Sequence, residues 1–199
     1  MKLWTVQPVE WYLKLQEYQI IYGEKQYVDE CFLAAYDWLI PEMENRIGNK
    51  PYSGCYPIWA WYQYENEKKP KPDLRNSALL NKGTAGVCIE IEKDVKDVLL
   101  SDFTMWHFPI AGHYISDSEE DDNTFDLLLQ QNGFVYSDPD FDAIPVELKH
   151  RIIKSWDKIF DLNYECDFQS YKKSEKQIQA TFWSICLNEI LKVTEFIAR

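Results

Sequence analysis

Asp102, Trp106 and His107 bring a carboxylate, an indole and an imidazole close together in the chain. Because a histidine side chain titrates near neutral pH, it is suited to carry a proton between reacting groups. A nearby carboxylate can exchange that proton, and an indole offers a flat surface on which a ring can stack. The pattern predicts an acid–base site with His107 and Asp102 as its catalytic groups. The alternative is a structural histidine, hydrogen-bonded among the apolar residues around it.

Two tryptophans and a glutamine have the chemistry needed to bind a flat, polar ligand. Trp59 and Trp61 lie two residues apart in an aromatic segment, so their indoles share one face if the segment is a strand. Such a pair can form the wall of a ligand pocket, or it can pack in the core. Gln7 ends a short apolar segment, where its amide can bind a ligand or the backbone of a turn. We expect these three residues to bind a nucleotide cofactor.

Arg75 would supply the positive charge that a phosphate group needs. A guanidinium can bind a phosphate through two parallel hydrogen bonds, but Asp73 is two positions away and offers an alternative, structural ion pair. A nucleotide site needs a flat apolar wall, a cation and a few polar groups in one place. We therefore expect a single cleft lined by Gln7, Trp59 or Trp61, Arg75 and His107.

The segments that position these residues have the patterns of strands and helices. Short β-branched and aromatic segments predict strands at residues 3–7, 56–64, 86–92 and 177–183. Apolar residues at helical spacing predict helices at residues 9–22, 29–47 and 145–159, the second one kinked or split by Pro41. Residues 117–123 have the composition of an acidic loop. No regular alternation of strands and helices is present, which favours the α+β class. We expect one compact domain over residues 1–199, with a mixed or antiparallel sheet and flanking helices.

Five short motifs, in order along the chain, resemble one bacterial family, domain of unknown function 3841. They are LWTVQ at residues 3–7, YPIWAWY at 56–62, KPDLR at 71–75, LLSDF at 99–103 with the following Trp106 and His107, and IQATFW at 178–183. The resemblance covers nearly the whole chain. It implies a compact bacterial or phage protein, and it implies no activity.

The first and last of these motifs are also similar to the ADP-ribosyltransferase-type fold. That fold begins with a strand and a helix and ends on a strand bearing a catalytic glutamate, which follows Gln-Ala in its DNA-targeting members. Gln179 and Ala180 match this ending, and Thr181 stands where the glutamate would be. The resemblance implies NAD as a cofactor, Gln179 among its binding residues, and both end strands in the same or facing sheets. Because threonine has no negative charge, it implies altered or absent transferase activity.

The formal net charge of −12 comes from 33 acidic and 21 basic residues. Negative charge of this size repels a phosphate backbone, which argues against direct nucleic-acid binding. It leaves a second function open: a non-enzymatic protein whose acidic surface, around residues 116–122, imitates nucleic acid or inhibits a basic protein partner.

Five cysteines occur without Cys-x-x-Cys or Cys/His metal spacing, which predicts free thiols and no metal site. The first residues show neither an apolar signal core nor an Arg-rich transit pattern, and no apolar run is long enough to span a bilayer. We expect a cytoplasmic protein with no membrane partner and no disulfide.

Overall fold

The structure is a computed structural model that describes residues 1–135, 141, 143–166 and 170–199. The chain divides into two compact units: unit 1 is Met1–Leu100 with Ile178–Arg199, and unit 2 is Ser101–Gln177. Unit 1 contains the antiparallel sheets and two helices, and unit 2 is mainly helical. The predicted α+β class is therefore confirmed, while a single domain over residues 1–199 stays a prediction.

Unit 1 begins with a strand and a helix, as predicted, and the four predicted strands are present to within one or two residues at each end. The helix that contains Pro41 is continuous rather than split. In chain order the elements are β1 (Lys2–Pro8), α1 (Val9–Tyr18), β2 (Ile20–Glu24), α2 (Leu33–Ile47), β3 (Cys55–Tyr56), β4 (Ile58–Gln63), β5 (Ala85–Glu92), the first half of β6 (Leu99–Asp102), β7 (Ile178–Phe182), β8 (Ser184–Cys186) and β9 (Ile190–Ile197).

The strands of unit 1 form two sheets. The larger sheet has the strand order β6–β7–β4–β1–β5–β9, and the smaller sheet has the order β3–β2–β8. Strands β1 and β7 lie in the same sheet, each paired with β4, so the expectation that both ends of the chain share a sheet is confirmed.

The aromatic strand β4 has two different faces, as its alternating pattern predicts. Ile58 and Ala60 are buried in the core of unit 1, which the sheet forms together with Leu15 of α1. Trp59 and Trp61 lie at the intervening positions and are half-buried. Because side chains alternate along a strand, the two indoles are on the face opposite that core.

The predicted helix at residues 9–22 is wrong in its last four residues, 19–22. Helix α1 ends at Tyr18, and Gln19 adopts a left-handed conformation with φ 65°. The next residues form β2, which pairs with β8 and β3. The apolar spacing of this segment fits a helix, but the pairing with strands from distant parts of the chain determines its structure.

Gly23 allows β2 to lie against the following strands. It pairs with Tyr56 of β3, and a Cβ atom at Gly23 would be 2.0 Å from the Tyr56 carbonyl oxygen. The Gly23 N–H also donates a hydrogen bond to the Trp183 carbonyl at 3.4 Å. Any side chain at this position would push β2 away from β3.

Unit 2 contains α3 (Phe103–Ala111), α4 (Glu119–Gln131) and α5 (Val146–Ser155), the last of which continues into a 3₁₀ turn at Trp156–Phe160. The acidic loop predicted at residues 117–123 is wrong, because most of it is the first turn of α4. Ser118 caps this helix by accepting a hydrogen bond from the Asp121 N–H. Acidic residues are favourable there, since the helix N-terminus carries partial positive charge.

Replacing Gly23 by alanine is expected to destabilise unit 1 by about 3 kcal/mol, because the backbone of β2 must move away from Tyr56. Gly54→Ala is the matched control. A Cβ at Gly54 meets no atom within 4 Å, and only its φ of +91° is unfavourable, which costs about 1–2 kcal/mol. Urea unfolding followed by tryptophan fluorescence measures both losses. Equal losses in the two variants would contradict the close-approach argument.

Candidate functional site

A pocket with a volume of about 370 Å³ opens in unit 1, where β1 ends and β4 begins. Its walls come from both sheets and from both helices of the unit. The lining residues are Gln7, Pro8, Glu10, Trp11, Lys14, Tyr22, Gly23, Glu24, Tyr27, Val28, Tyr36, Pro57, Ile58 and Trp59.

Aromatic side chains form much of this lining. Trp59 of β4 donates its indole N–H to the hydroxyl of Tyr36 in α2 at 2.6 Å, with the two rings edge-to-face at 6.1 Å. Tyr36 is buried, and this burial raises the pKa of its phenol to about 12. The side chains of Trp11 in α1 and Tyr22 in β2 make no hydrogen bond among the described residues, so the indole N–H and the phenol hydroxyl remain available to a ligand.

A short chain of hydrogen bonds fixes Gln7 at the pocket. Gln7 Nε2 donates to Thr5 Oγ1 at 2.9 Å, and Thr5 Oγ1 donates to the Trp59 carbonyl at 2.9 Å. No described residue donates a hydrogen bond to Gln7 Oε1, so this oxygen can accept one from an amide or amino group of a ligand.

Charged groups of both signs also line the pocket. Lys14 Nζ donates to the Tyr27 hydroxyl at 3.2 Å and lies 6.0 Å from the centre of that ring. The hydrogen bond to Tyr27, and to a lesser extent the charge of Glu24, raise the pKa of the Lys14 ammonium. The carboxylates of Glu10 and Glu24 complete the charged lining.

The predicted cleft is only partly present. The pocket brings together Gln7 and Trp59, but Trp61 and Arg75 are not among its lining residues, and His107 belongs to unit 2. The expectation for Arg75 is corrected for a physical reason. Its guanidinium is exposed and binds both carboxylate oxygens of Asp73, at 2.8 and 2.6 Å, which holds the pKa of Asp73 well below its usual range.

Gln179 and Thr181 lie on β7, outside the lining of the pocket, opposite Trp61 and Trp59 of β4. Thr181 is buried, and its hydroxyl donates to the Leu99 carbonyl at 3.4 Å. Gln179 Oε1 is buried and has no hydrogen-bond partner in the part of the chain that the structure describes. Thr181 is therefore a neutral side chain that is bound to the backbone.

Asp102 and His107 have separate environments in unit 2. The Asp102 carboxylate caps α3 by accepting from the Thr104 and Met105 N–H groups, and it lies 3.0 Å from Lys176 Nζ, with both side chains buried. His107 is exposed, and its Nδ1 lies 3.1 Å from the Thr104 carbonyl. This geometry gives Asp102 a structural ion pair. Catalysis by Asp102 and His107 stays a prediction.

The sequence does not predict that residues of α1, β2 and α2 line the pocket. The apolar spacing of residues 9–22 places Trp11 and Tyr22 on the same face of one long helix. One feature of the sequence could have indicated that α1 lines a pocket. Lys14 and Glu10 lie beside Trp11, which gives α1 a face with charges of both signs and a large ring.

Other kinds of site are absent from the described part of the chain. No group of histidine, cysteine or acidic residues there could hold a metal ion. No helix in that part is long and apolar enough to cross a bilayer. All five cysteines are free thiols.

The model of one protein family, described as domain of unknown function (DUF3841), matches residues 2–191. This confirms the resemblance carried by the five sequence motifs. No curated protein and no solved structure gave a significant match, and the resemblance to ADP-ribosyltransferases is not confirmed.

Tyr36 is expected to make the folding stability depend on pH in the alkaline range. Its pKa is about 12 in the folded protein and about 10 in an unfolded chain. The folded state holds this proton more tightly, so its stabilising effect is complete below pH 10 and is lost as the pH rises towards 12. Relative to Tyr36→Phe, the wild-type protein should lose about 2 kcal/mol more over that range. Urea unfolding between pH 8 and 11.5 measures this loss of stability. Tyr18→Phe, at an exposed tyrosine, is the control. Parallel profiles for wild type and Tyr36→Phe would refute this assignment.

Replacing Lys176 by methionine is expected to destabilise unit 2 by about 3 kcal/mol or more, because the Asp102 carboxylate remains buried without its counter-charge. His107→Gln, at an exposed ring, should change the stability by about 0.5 kcal/mol. Both values come from urea unfolding. A small effect of Lys176→Met would mean that Asp102 does not depend on the ion pair.

Proposed function

The chain belongs to the family of domain of unknown function 3841, and we propose that it binds a nucleotide, with NAD as the candidate, in the pocket of unit 1. Transfer of ADP-ribose by a glutamate on β7 is not part of the proposal, because Thr181 is at that position. The observation that carries the proposal is the pocket lined by Trp11, Tyr22, Tyr36 and Trp59.

The aromatic lining supports the binding of a flat ring. Indole and phenol rings stack on or pack edge-to-face against a planar heterocycle, and they lose little conformational freedom when they do so. The hydrogen bond between Trp59 and Tyr36 orients both rings before a ligand arrives. Gln7 Oε1 adds an acceptor for the amide or amino group that nicotinamide and adenine both carry.

Lys14 supports the binding of a phosphate group. It is the only lysine or arginine among the lining residues of the pocket, and it replaces the predicted Arg75 in this role. Its contact with the Tyr27 hydroxyl is an exposed one, so the ammonium retains donors for a phosphate. The volume of about 370 Å³ is near the lower end of the range of roughly 300–1,000 Å³ for small-molecule pockets. It suits one nucleotide half of NAD, with the other half extending into solvent.

The alternative function, an acidic protein acting on a basic partner, rests on the net charge and on the acidic segment around residues 116–122. Three of the carboxylates in that segment serve the protein itself. Asp117 lies 2.8 Å from Lys158 Nζ. Asp121 accepts from the Tyr114 hydroxyl and the Asp117 N–H, and Asp122 accepts from the Ser116 hydroxyl. The acidic turn therefore has a structural role as a helix start, and the pocket is the stronger basis for a function.

Titration with NAD tests the proposal, with Lys14→Met as the informative variant. We expect saturable binding to the wild-type protein by isothermal titration calorimetry. Loss of the charged hydrogen bond to phosphate should weaken binding roughly tenfold. Lys82→Met, which removes an exposed lysine that does not line the pocket, should bind like wild type. No binding at millimolar NAD, or an equal loss in both variants, would rule the proposed site out.

A further inference from the structure

Building on the proposed function, we infer that the pocket of unit 1 selects a ring that carries positive charge. Oxidised nicotinamide would then bind in preference to the reduced, neutral ring. The charge preference follows from two features of the lining, its aromatic faces and its carboxylates.

The aromatic faces attract a cation. Indole and phenol rings carry partial negative charge on their faces, and a cation placed over such a face is stabilised, most strongly by tryptophan. Trp11, Tyr22, Tyr36 and Trp59 line the pocket from four different elements. A positively charged ring that binds over any of these faces is stabilised by it.

The carboxylates act in the same direction. Glu10 lines the pocket, and its carboxylate makes no hydrogen bond or ion pair among the described residues. Glu24 accepts a hydrogen bond from the neutral Gln26 amide at 2.8 Å, which leaves its negative charge in place. Against these two carboxylates the lining offers one ammonium, that of Lys14, so the pocket carries a net charge of one negative unit. Lys14 and the carboxylates can therefore serve different parts of a ligand that contains both a phosphate and a cationic ring.

Two pairs of ligands test the charge preference by isothermal titration calorimetry. NAD⁺ and NADH differ in the charge of the nicotinamide ring, and 1-methylnicotinamide and nicotinamide differ in charge without any phosphate. In each pair we expect the charged member to bind about tenfold more tightly, the size of a partly desolvated cation–π contact.

Isosteric variants identify the carboxylates responsible. Glu10→Gln and Glu24→Gln should each reduce the preference for NAD⁺ over NADH about threefold, the usual effect of one exposed charge pair. Glu17→Gln is the matched control, because Glu17 is an exposed residue of α1 that does not line the pocket. An unchanged preference in the double variant Glu10→Gln/Glu24→Gln would overturn the role of the carboxylates.

The outcomes separate this inference from the proposed function. Equal affinity within both ligand pairs overturns charge selection and leaves nucleotide binding intact. Binding of 1-methylnicotinamide without binding of either dinucleotide supports charge selection and overturns the nucleotide proposal. If none of the four ligands binds at millimolar concentration, both are overturned.

Discussion

The pocket of unit 1 depends on the backbone of β2 lying directly against the backbone of β3. Gly23 makes this approach possible, because the space that a Cβ atom would need is filled by the Tyr56 carbonyl. The left-handed turn at Gln19 redirects the chain from α1 into β2, and β2 then forms the centre of the smaller sheet. Tyr22 and Glu24 of this strand line the pocket together with residues of α1 and β4. Without β2 that side of the pocket would be absent.

The aromatic residues of the pocket are fixed through their polar atoms. Trp59 donates its indole N–H to the Tyr36 hydroxyl, and its carbonyl accepts a hydrogen bond from the Thr5 hydroxyl. The Thr5 hydroxyl in turn accepts a hydrogen bond from Gln7 Nε2. These bonds connect β1, β4 and α2 through side chains. A wall whose rings are already oriented loses less entropy when a ligand binds than one whose rings must first be ordered. These hydrogen bonds therefore support the shape of the site.

Unit 2 shows how residues with catalytic potential can be used for structure. Lys176 donates to the Asp102 carboxylate, to the Tyr164 carbonyl at 2.7 Å and to the Ser170 hydroxyl at 2.9 Å, all from a buried position. Removing two charges from water is unfavourable unless their remaining hydrogen bonds are satisfied. The remaining hydrogen bonds of Lys176 are made with Tyr164 and Ser170. Those of Asp102 are made with the backbone N–H groups of the first turn of α3, which its carboxylate caps.

Sequence by itself determined strands β1, β4, β5 and β7, the α+β class and the two faces of β4. In each of these segments the apolar pattern agrees with the final packing. It also singled out Gln7 and Trp59, which both line the pocket, while their binding of a ligand stays a prediction. Only the tertiary structure decided that residues 20–24 form a strand and that Lys14, rather than Arg75, is the cation of the pocket. The reason is the same in both cases. The local pattern of residues 9–22 fits a helix, and Arg75 could either bind a phosphate or pair with Asp73. In both cases the structure depends on which partners are near in space. For β2 those partners lie far along the chain, at Tyr56 and Ser184–Cys186. The guanidinium of Arg75 is bound by the neighbouring Asp73 instead.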